Sequence, residues 1–329
     1  MMRVFYTVDT EFWPRNPSKP DFTELNKDVQ RDIYGATPQG EFGLRYQLDA
    51  LDSEGLKGVF FVEPLGALRA GIDSLSATLS LIESRGHEVG LHLHPEWNDW
   101  LENSLVPDRT VQNISQLSVD NQTKLIAKGL SLFKDAGLSL PVKSFRAGNY
   151  GVGLTTLRAL ANNNIAYDSS YNPCYLNSRE GFALETPLVQ AQMLDTIVEV
   201  PISCFEDYPR HSRHVQLMAI SFEEMRLALE TAERQHWKSF VIVSHSFELI
   251  KRNCSQLDSA RPDYRVIDRF QKLIKYLGQN KDRYRVEGFN TCMEHDLIHQ
   301  QPGYEYKPIT GNLSNTLFRY MQQALRRIS

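Results

Sequence analysis

Apolar and polar positions along the chain follow two alternating periods. Short apolar runs of strand type recur at 3–8 (Arg-Val-Phe-Tyr-Thr-Val), 58–62, 86–94, 142–146, 165–168, 196–201, 240–243 and 283–288. Between them, apolar residues fall at helical spacing over 43–55 (Leu44, Leu48, Leu51), 74–85 (Leu75, Leu79, Ile82), 120–136, 155–162, 221–235 and 263–278, and again in an amphipathic terminal segment, 315–328. Asp120 reads as one helix N-cap, and Ser221 with Glu224 three residues on reads as a capping box. Residues 12–40, with Pro14, Pro17, Pro20 and Pro38, read as a long irregular loop, as do 98–120 and 299–313. Strands separated by helices about seven times predict βα units around a parallel sheet. With no internal repeat and no clean linker, the expectation is one barrel-like α/β domain over 1–329, with 299–329 a C-terminal loop and helix extension covering its own domain.

Composition narrows the function classes. The chain has 329 residues, 41% hydrophobic and 23% charged, long enough to bury a core without staples, which excludes disordered, collagen-like and disulfide-miniprotein classes. No run approaches the roughly 18 apolar residues of a membrane span. The net charge of -4 leaves no broad footprint for nucleic acid, and Arg326-Arg327 reads as a solvated helix face. Cys174, Cys204, Cys254 and Cys292 form no C-x-x-C pair, so they read as reduced thiols rather than a zinc ribbon or redox motif. The first residues show no apolar leader core, and the expected location is cytoplasmic.

The residues that carry chemistry follow the predicted strands, where a parallel barrel builds its active face. Asp9-Thr-Glu11 places two carboxylates two residues apart at a strand end, one suited to bind a metal and one to act as a base; alone, the pair also suits a cap or a solvated turn. In Leu91-His92-Leu93-His94-Pro95-Glu96-Trp97, alternation puts both imidazoles on one face and both leucines on the other. Two histidines and a carboxylate suit a divalent ion, zinc above all, with a position left open for water. Ser144-Phe-Arg146-Ala-Gly-Asn-Tyr150 pairs a strand-end arginine, able to hold a carboxylate, with a turn able to offer N–H groups to an oxyanion. His245 ends an apolar strand, where it can donate a proton, and no G-x-S-x-G turn supports a serine nucleophile. Trp13, Trp97 and Tyr150, with Phe12 and Trp100, lie in or beside these loops, where aromatic rings stack on sugars or pack the rim.

In this order, Thr-Val-Asp9-Thr-Glu11, Gly-His-Glu-Val-Gly-Leu-His92-Leu-His94-Pro, Phe-Arg146-Ala-Gly, Tyr167-Asp168-Ser-Ser and Val-Ser-His245-Ser-Phe resemble the polysaccharide deacetylases. That family is also called NodB-homology or carbohydrate esterase family 4, and the nearest likeness is to a divergent branch with WalW-like proteins linked to cell-surface polysaccharide synthesis. The resemblance implies a distorted (β/α)7 barrel and metal-dependent removal of an N-acetyl or similar acyl group from a sugar or glycan. It implies Asp9 as base, Arg146 as its orienting partner, Glu11 and His92 as metal ligands, and His245 as the acid. The family's second metal histidine lies four residues after the first, where this chain has Glu96; His94 or Glu96 takes that role. The alternatives are hydrolysis of a non-sugar C–N bond and a catalytically silent glycan-binding relative.

Overall fold

The structure, a computed structural model, describes residues 1–175, 187–252, 260–298 and 307–328. Among these residues, nine strands form the main sheet: β1 (Met2–Thr10), β2 (Val59–Val62), β3 (Glu88–Leu93), β4 (Ser144–Ala147), β5 (Tyr167–Asp168), β6 (Gln192–Leu194), β7 (Ile197–Glu199), β8 (Ser239–His245) and β9 (Tyr284–Val286). Their order is β8-β1-β2-β3-β4-β5-β7-β6, and the path from β8 to β7 is parallel throughout. Only β6 runs antiparallel, on β7, while β9 lies parallel beside the start of β1. Seven parallel strands with outer helices make the distorted (β/α) barrel that the sequence predicts. The distortion lies at β8, whose outer edge meets a loop: Leu217 N donates to Val243 O (2.8 Å) and Val243 N to Val215 O (2.9 Å).

Alternation within the strands sorts side chains between two cores. On β1, Val4, Tyr6 and Val8 pack against the helices, while Phe5 faces the barrel interior. The interior is apolar at its base, where Phe289 stacks on Phe5 (ring centroids 4.3 Å), with Phe61, Val241 and Val243 above. Towards the carboxyl ends the inward rows turn polar: Phe5, Thr7 and Asp9 on β1, Gly90 and His92 on β3, Ser144 and Arg146 on β4, and Val241, Val243 and His245 on β8. The functional groups are thus the top layer of the same pleat that builds the core.

The outer helices are α1 (Leu25–Asp32), α2 (Leu44–Ser53), α3 (Ile72–Glu83), α4 (Val119–Asp135), α5 (Leu154–Ala161), α6 (Phe222–Arg234), α7 (Tyr264–Gln279) and α8 (Leu313–Ile328). The capping box of Ser221 and Glu224 opens α6. The cap of α4 differs from expectation: Ser118, not Asp120, is the N-cap, its hydroxyl accepting from Asn121 N, and Asp120 lies in the first turn. The predicted loop 12–40 contains α1 and a two-stranded hairpin, Ala36–Thr37 with Gly40–Glu41. A second hairpin, Cys204–Tyr208 with His211–His214, was also absent from the sequence reading. Cys174, Cys204 and Cys292 are unbridged thiols; Cys254 and residues 299–306 lie outside the described residues. Among the described residues, no helix is long and apolar enough to cross a membrane.

Candidate active site and metal centre

Glu11, His92 and His94 meet above the barrel core, all buried, with one ligand atom from each lying within 4.8 Å of the others. Glu11 Oε2 is 2.9 Å from His94 Nε2 and 3.5 Å from His92 Nε2. The far nitrogen of each ring is already engaged: His92 Nδ1 lies 2.8 Å from Arg146 O, and His94 Nδ1 lies 3.2 Å from Glu96 Oε2. A proton on each Nδ1 leaves each Nε2 with a lone pair facing Glu11, the backing that metal-binding imidazoles use. Glu96 therefore stands behind His94. Gly148 makes room for that ring, since a Cβ there would come within 2.5 Å of His94 Nδ1.

The donor set fits a divalent cation. With both rings protonated at Nδ1, the buried Glu11 Oε2 faces two lone pairs and has no donor, a costly state for a carboxylate oxygen unless a cation completes it. Burial opposes the Glu11 charge, yet the His94 and His92 imidazoles outweigh it and hold the carboxyl well below its ordinary range. Burial likewise disfavours a charged His94, but Glu11 and Glu96 hold its pKa well above the ordinary value. A field that draws a proton onto His94 also draws a cation to the same point. Two imidazoles and one carboxylate are a set that zinc accepts with a position to spare.

Beside this cluster stands a second pair. Arg146 Nη1 donates to Asp9 Oδ1 (2.7 Å) and to Thr7 Oγ1 (2.8 Å), and its Nε donates to Ser169 O (2.8 Å). The guanidinium also lies over the Phe61 ring, 4.4 Å from its centroid, so its direction is fixed from several sides. The segment that receives Arg146 is itself pinned: Ser170 Oγ accepts from Ala147 N (2.8 Å) and donates to Asp168, while Tyr171 N donates to Glu199 Oε1 (3.0 Å). Asp168 and Glu199 are paired across β5 and β7. Burial pushes Asp168 up to about 6, and burial together with the Asp168 charge pushes Glu199 well above its usual range.

His245 faces Asp9 from β8, with Nε2 3.9 Å from Asp9 Oδ2. Its Nδ1 lies 2.9 Å from Glu248 Oε1, and Glu248 is held in turn by Met218 N (3.1 Å) and by Gln216 Nε2. Burial works against a charged His245, but the Glu248 hydrogen bond and charge, followed by Asp9, raise its pKa to about 9. The imidazole therefore keeps a donatable proton through neutral pH. Glu248 was not singled out from sequence. Its signal was its place three residues after a strand-end histidine, in the turn that follows β8.

Asp9, Glu11, His92, His94, Arg146 and His245 thus gather in one place, and the aromatic candidates divide. Trp13 sets its ring edge-on to His94 (4.6 Å) and is half-buried, so it walls the cluster. Its backbone is clamped by α1: Trp13 N donates to Asp32 Oδ2 (3.1 Å), and Arg31 Nη2 donates to Trp13 O (2.9 Å). Trp97 is fully buried, packed on Phe12, Trp13 and Trp100. Offering no open face, it supports Trp13 instead of meeting a sugar as the sequence reading expected. Tyr150 is half-buried, stacked on Tyr175 (5.8 Å) and near His214 (6.3 Å). It follows Asn149 in a turn where both residues have positive φ, 57° and 55°, which for non-glycine residues marks stored strain.

No protein-family model and no curated protein matches the chain. Solved structures do. A candidate polysaccharide deacetylase of Mycobacterium smegmatis superposes with a TM-score of 0.55 at 15% identity, over 92% of this chain and 95% of that one. A family 4 carbohydrate esterase of Streptomyces lividans, in complex with acetate, covers 85% of this chain and 89% of its own at 12% identity, with a TM-score of 0.40. A peptidoglycan N-acetylglucosamine deacetylase gives 0.41 at 15% identity, over 86% and 84%. The mycobacterial match establishes the fold alone.

Proposed function

The chain has the polysaccharide deacetylase fold, and we propose that it is a metal-dependent hydrolase that removes an N-acetyl or similar acyl group from a sugar or glycan. The observation that carries this reading is the convergence, at the carboxyl ends of parallel strands, of a buried Glu11–His92–His94 ligand set, the Asp9–Arg146 pair and the Glu248-backed His245. An amide is a poor electrophile with a poor leaving group, so its hydrolysis needs an activated water, a stabilised oxyanion and a proton for the departing nitrogen.

Glu11, His92 and His94 would hold the ion, zinc by its donor preference. Bound there, a divalent cation lowers the pKa of water and adds positive charge beside a polarised carbonyl. Asp9 takes the proton of the attacking water, with one carboxylate oxygen fixed by Arg146 and the other turned toward His245. Arg146 keeps Asp9 aimed, its guanidinium paired with one carboxylate oxygen. His245, protonated up to about pH 9, delivers a proton to the leaving amine. Trp13 and Tyr150 flank the cluster and offer ring faces to a pyranose. The reading is tested by metal analysis of the purified protein and acetate release from N-acetylated sugar oligomers. Bound zinc with release that Asp9→Asn abolishes is the expected result; metal-free protein, or release unaffected by Asp9→Asn, would overturn it.

A further inference from the structure

The terminal helix α8 is docked with its polarity reversed. Its buried side is polar: Thr316 is 4% exposed and Arg319 is fully enclosed. Arg319 Nη2 donates to Asp207 Oδ2 (2.6 Å) and its Nε to Glu224 Oε1 (3.0 Å), while Thr316 Oγ1 donates to Asp207 O (2.9 Å). The outward side is apolar: Leu313 is 61% exposed, Leu317 68%, Phe318 48%, Tyr320 45% and Met321 60%. Positions 313, 317, 320 and 321 recur at three- and four-residue spacing, so they form one continuous stripe. An amphipathic helix normally turns such a stripe onto its own core. Here a buried ion-pair network holds the stripe facing away from the molecule.

The charge of the segment indicates what covers it. From Lys307 to Ser329 the sequence contains no Asp or Glu; Arg319 is neutralised by its buried carboxylate partners, which leaves Lys307, Arg326 and Arg327 as the segment's other cations in a chain whose net charge is -4. Arg265 of α7, exposed, reaches the same helix by donating to Gln322 O (3.3 Å). We propose that α8 attaches this protein peripherally to an anionic lipid surface, its apolar stripe entering the headgroup boundary and its basic residues meeting lipid phosphates. Leucine, methionine and aromatic side chains beside cations, without acids, are the composition that partitions into such interfaces. A protein partner of matched shape would be expected to set acids against these cations, which a second copy of this acid-free segment cannot supply.

The test is independent of the metal centre. Full-length protein is floated with vesicles of phosphatidylcholine alone and with phosphatidylglycerol added, alongside Leu317→Gln/Met321→Gln and Arg326→Gln/Arg327→Gln variants; sedimentation velocity follows each protein in solution. Leu317 and Met321 lie on the exposed side of the helix, away from the buried Arg319 network, and far-UV circular dichroism with metal content checks the fold of both variants. Binding to the anionic vesicles, weakened on the order of a hundredfold by the apolar pair of substitutions and severalfold by the basic pair, supports the proposal. Equal binding to zwitterionic vesicles, no binding to either, or a concentration-dependent dimer that the apolar substitutions abolish would overturn it, the last in favour of a second copy.

Discussion

Replacing Glu248 with glutamine keeps the size and planar shape of the side chain but removes the charge behind His245. His245 now titrates at about 9 against an ordinary 6.5, a difference worth about 3 kcal/mol. Burial opposes that rise, and Glu248 is the largest contribution favouring it, ahead of Asp9. Without Glu248, the burial penalty stays and most of the support goes, so the pKa falls by about 2 units or more. The sign follows from the role: a general acid works only while protonated, so the alkaline limb of kcat/KM moves to lower pH. At pH 8 the wild-type imidazole is mostly protonated and the variant's is not, giving about a tenfold loss. Near pH 6 the two enzymes stay within a few-fold of each other. The assay is acetate release across pH on metal-loaded proteins, with metal content measured in each. The coupling also stabilises the fold; that contribution is complete below about 6.5 and disappears as pH rises through about 9, so alkaline unfolding of the variant loses its wild-type pH dependence in that window. An alkaline limb in the same place in both proteins would refute the reasoning.

Three further outcomes follow from the geometry. His92→Ala removes most of the bound metal, whereas His245→Ala slows acetate release strongly at unchanged metal content; parallel metal loss in the second variant would put His245 among the ligands. Arg146→Met leaves Asp9 buried without its partner, which costs about 3–5 kcal/mol in denaturant unfolding as well as most of the activity; stability within error of wild type would mean that Asp9 is solvated. Gly148→Ala drives a Cβ into the His94 ring, whose nearest atom lies 2.5 Å away, and metal affinity measured by chelator competition should fall about tenfold or more.

The parts legible in the sequence share a physical cause. The strands and most helices announce themselves because apolar periodicity is what buries them, and Asp9, His92 and His245 stand out as polar residues at the ends of largely apolar strands. Helix α1 escaped because its inward face is largely ionic: Asp28, Arg31 and Asp32 are buried beside only Leu25 and Val29, and the Arg31 pairs replace the usual stripe. The hairpin Cys204–His214 escaped for a similar reason, since Asp207 is buried by Arg213, His211 and Arg319 instead of by apolar contacts. Trp97 was misread because a tryptophan beside a ligand motif looks the same whether it faces solvent or the second layer. The orientation of α8 was equally hidden: periodicity reveals an apolar stripe but not which way it points.

The strained turn at Asn149 and Tyr150 shares a carboxylate with the ligand cluster. Glu96 meets His94 through one oxygen and accepts from Asn149 Nδ2 (2.7 Å) through the other. An ion that fixes His94 would therefore also fix Glu96, and through it the turn that carries Tyr150. For the proposed glycan substrate, occupancy of the cluster and affinity for the sugar would then be mutually dependent, each raising the other by the same factor. A carbohydrate ligand added to the protein should then slow the escape of its ion.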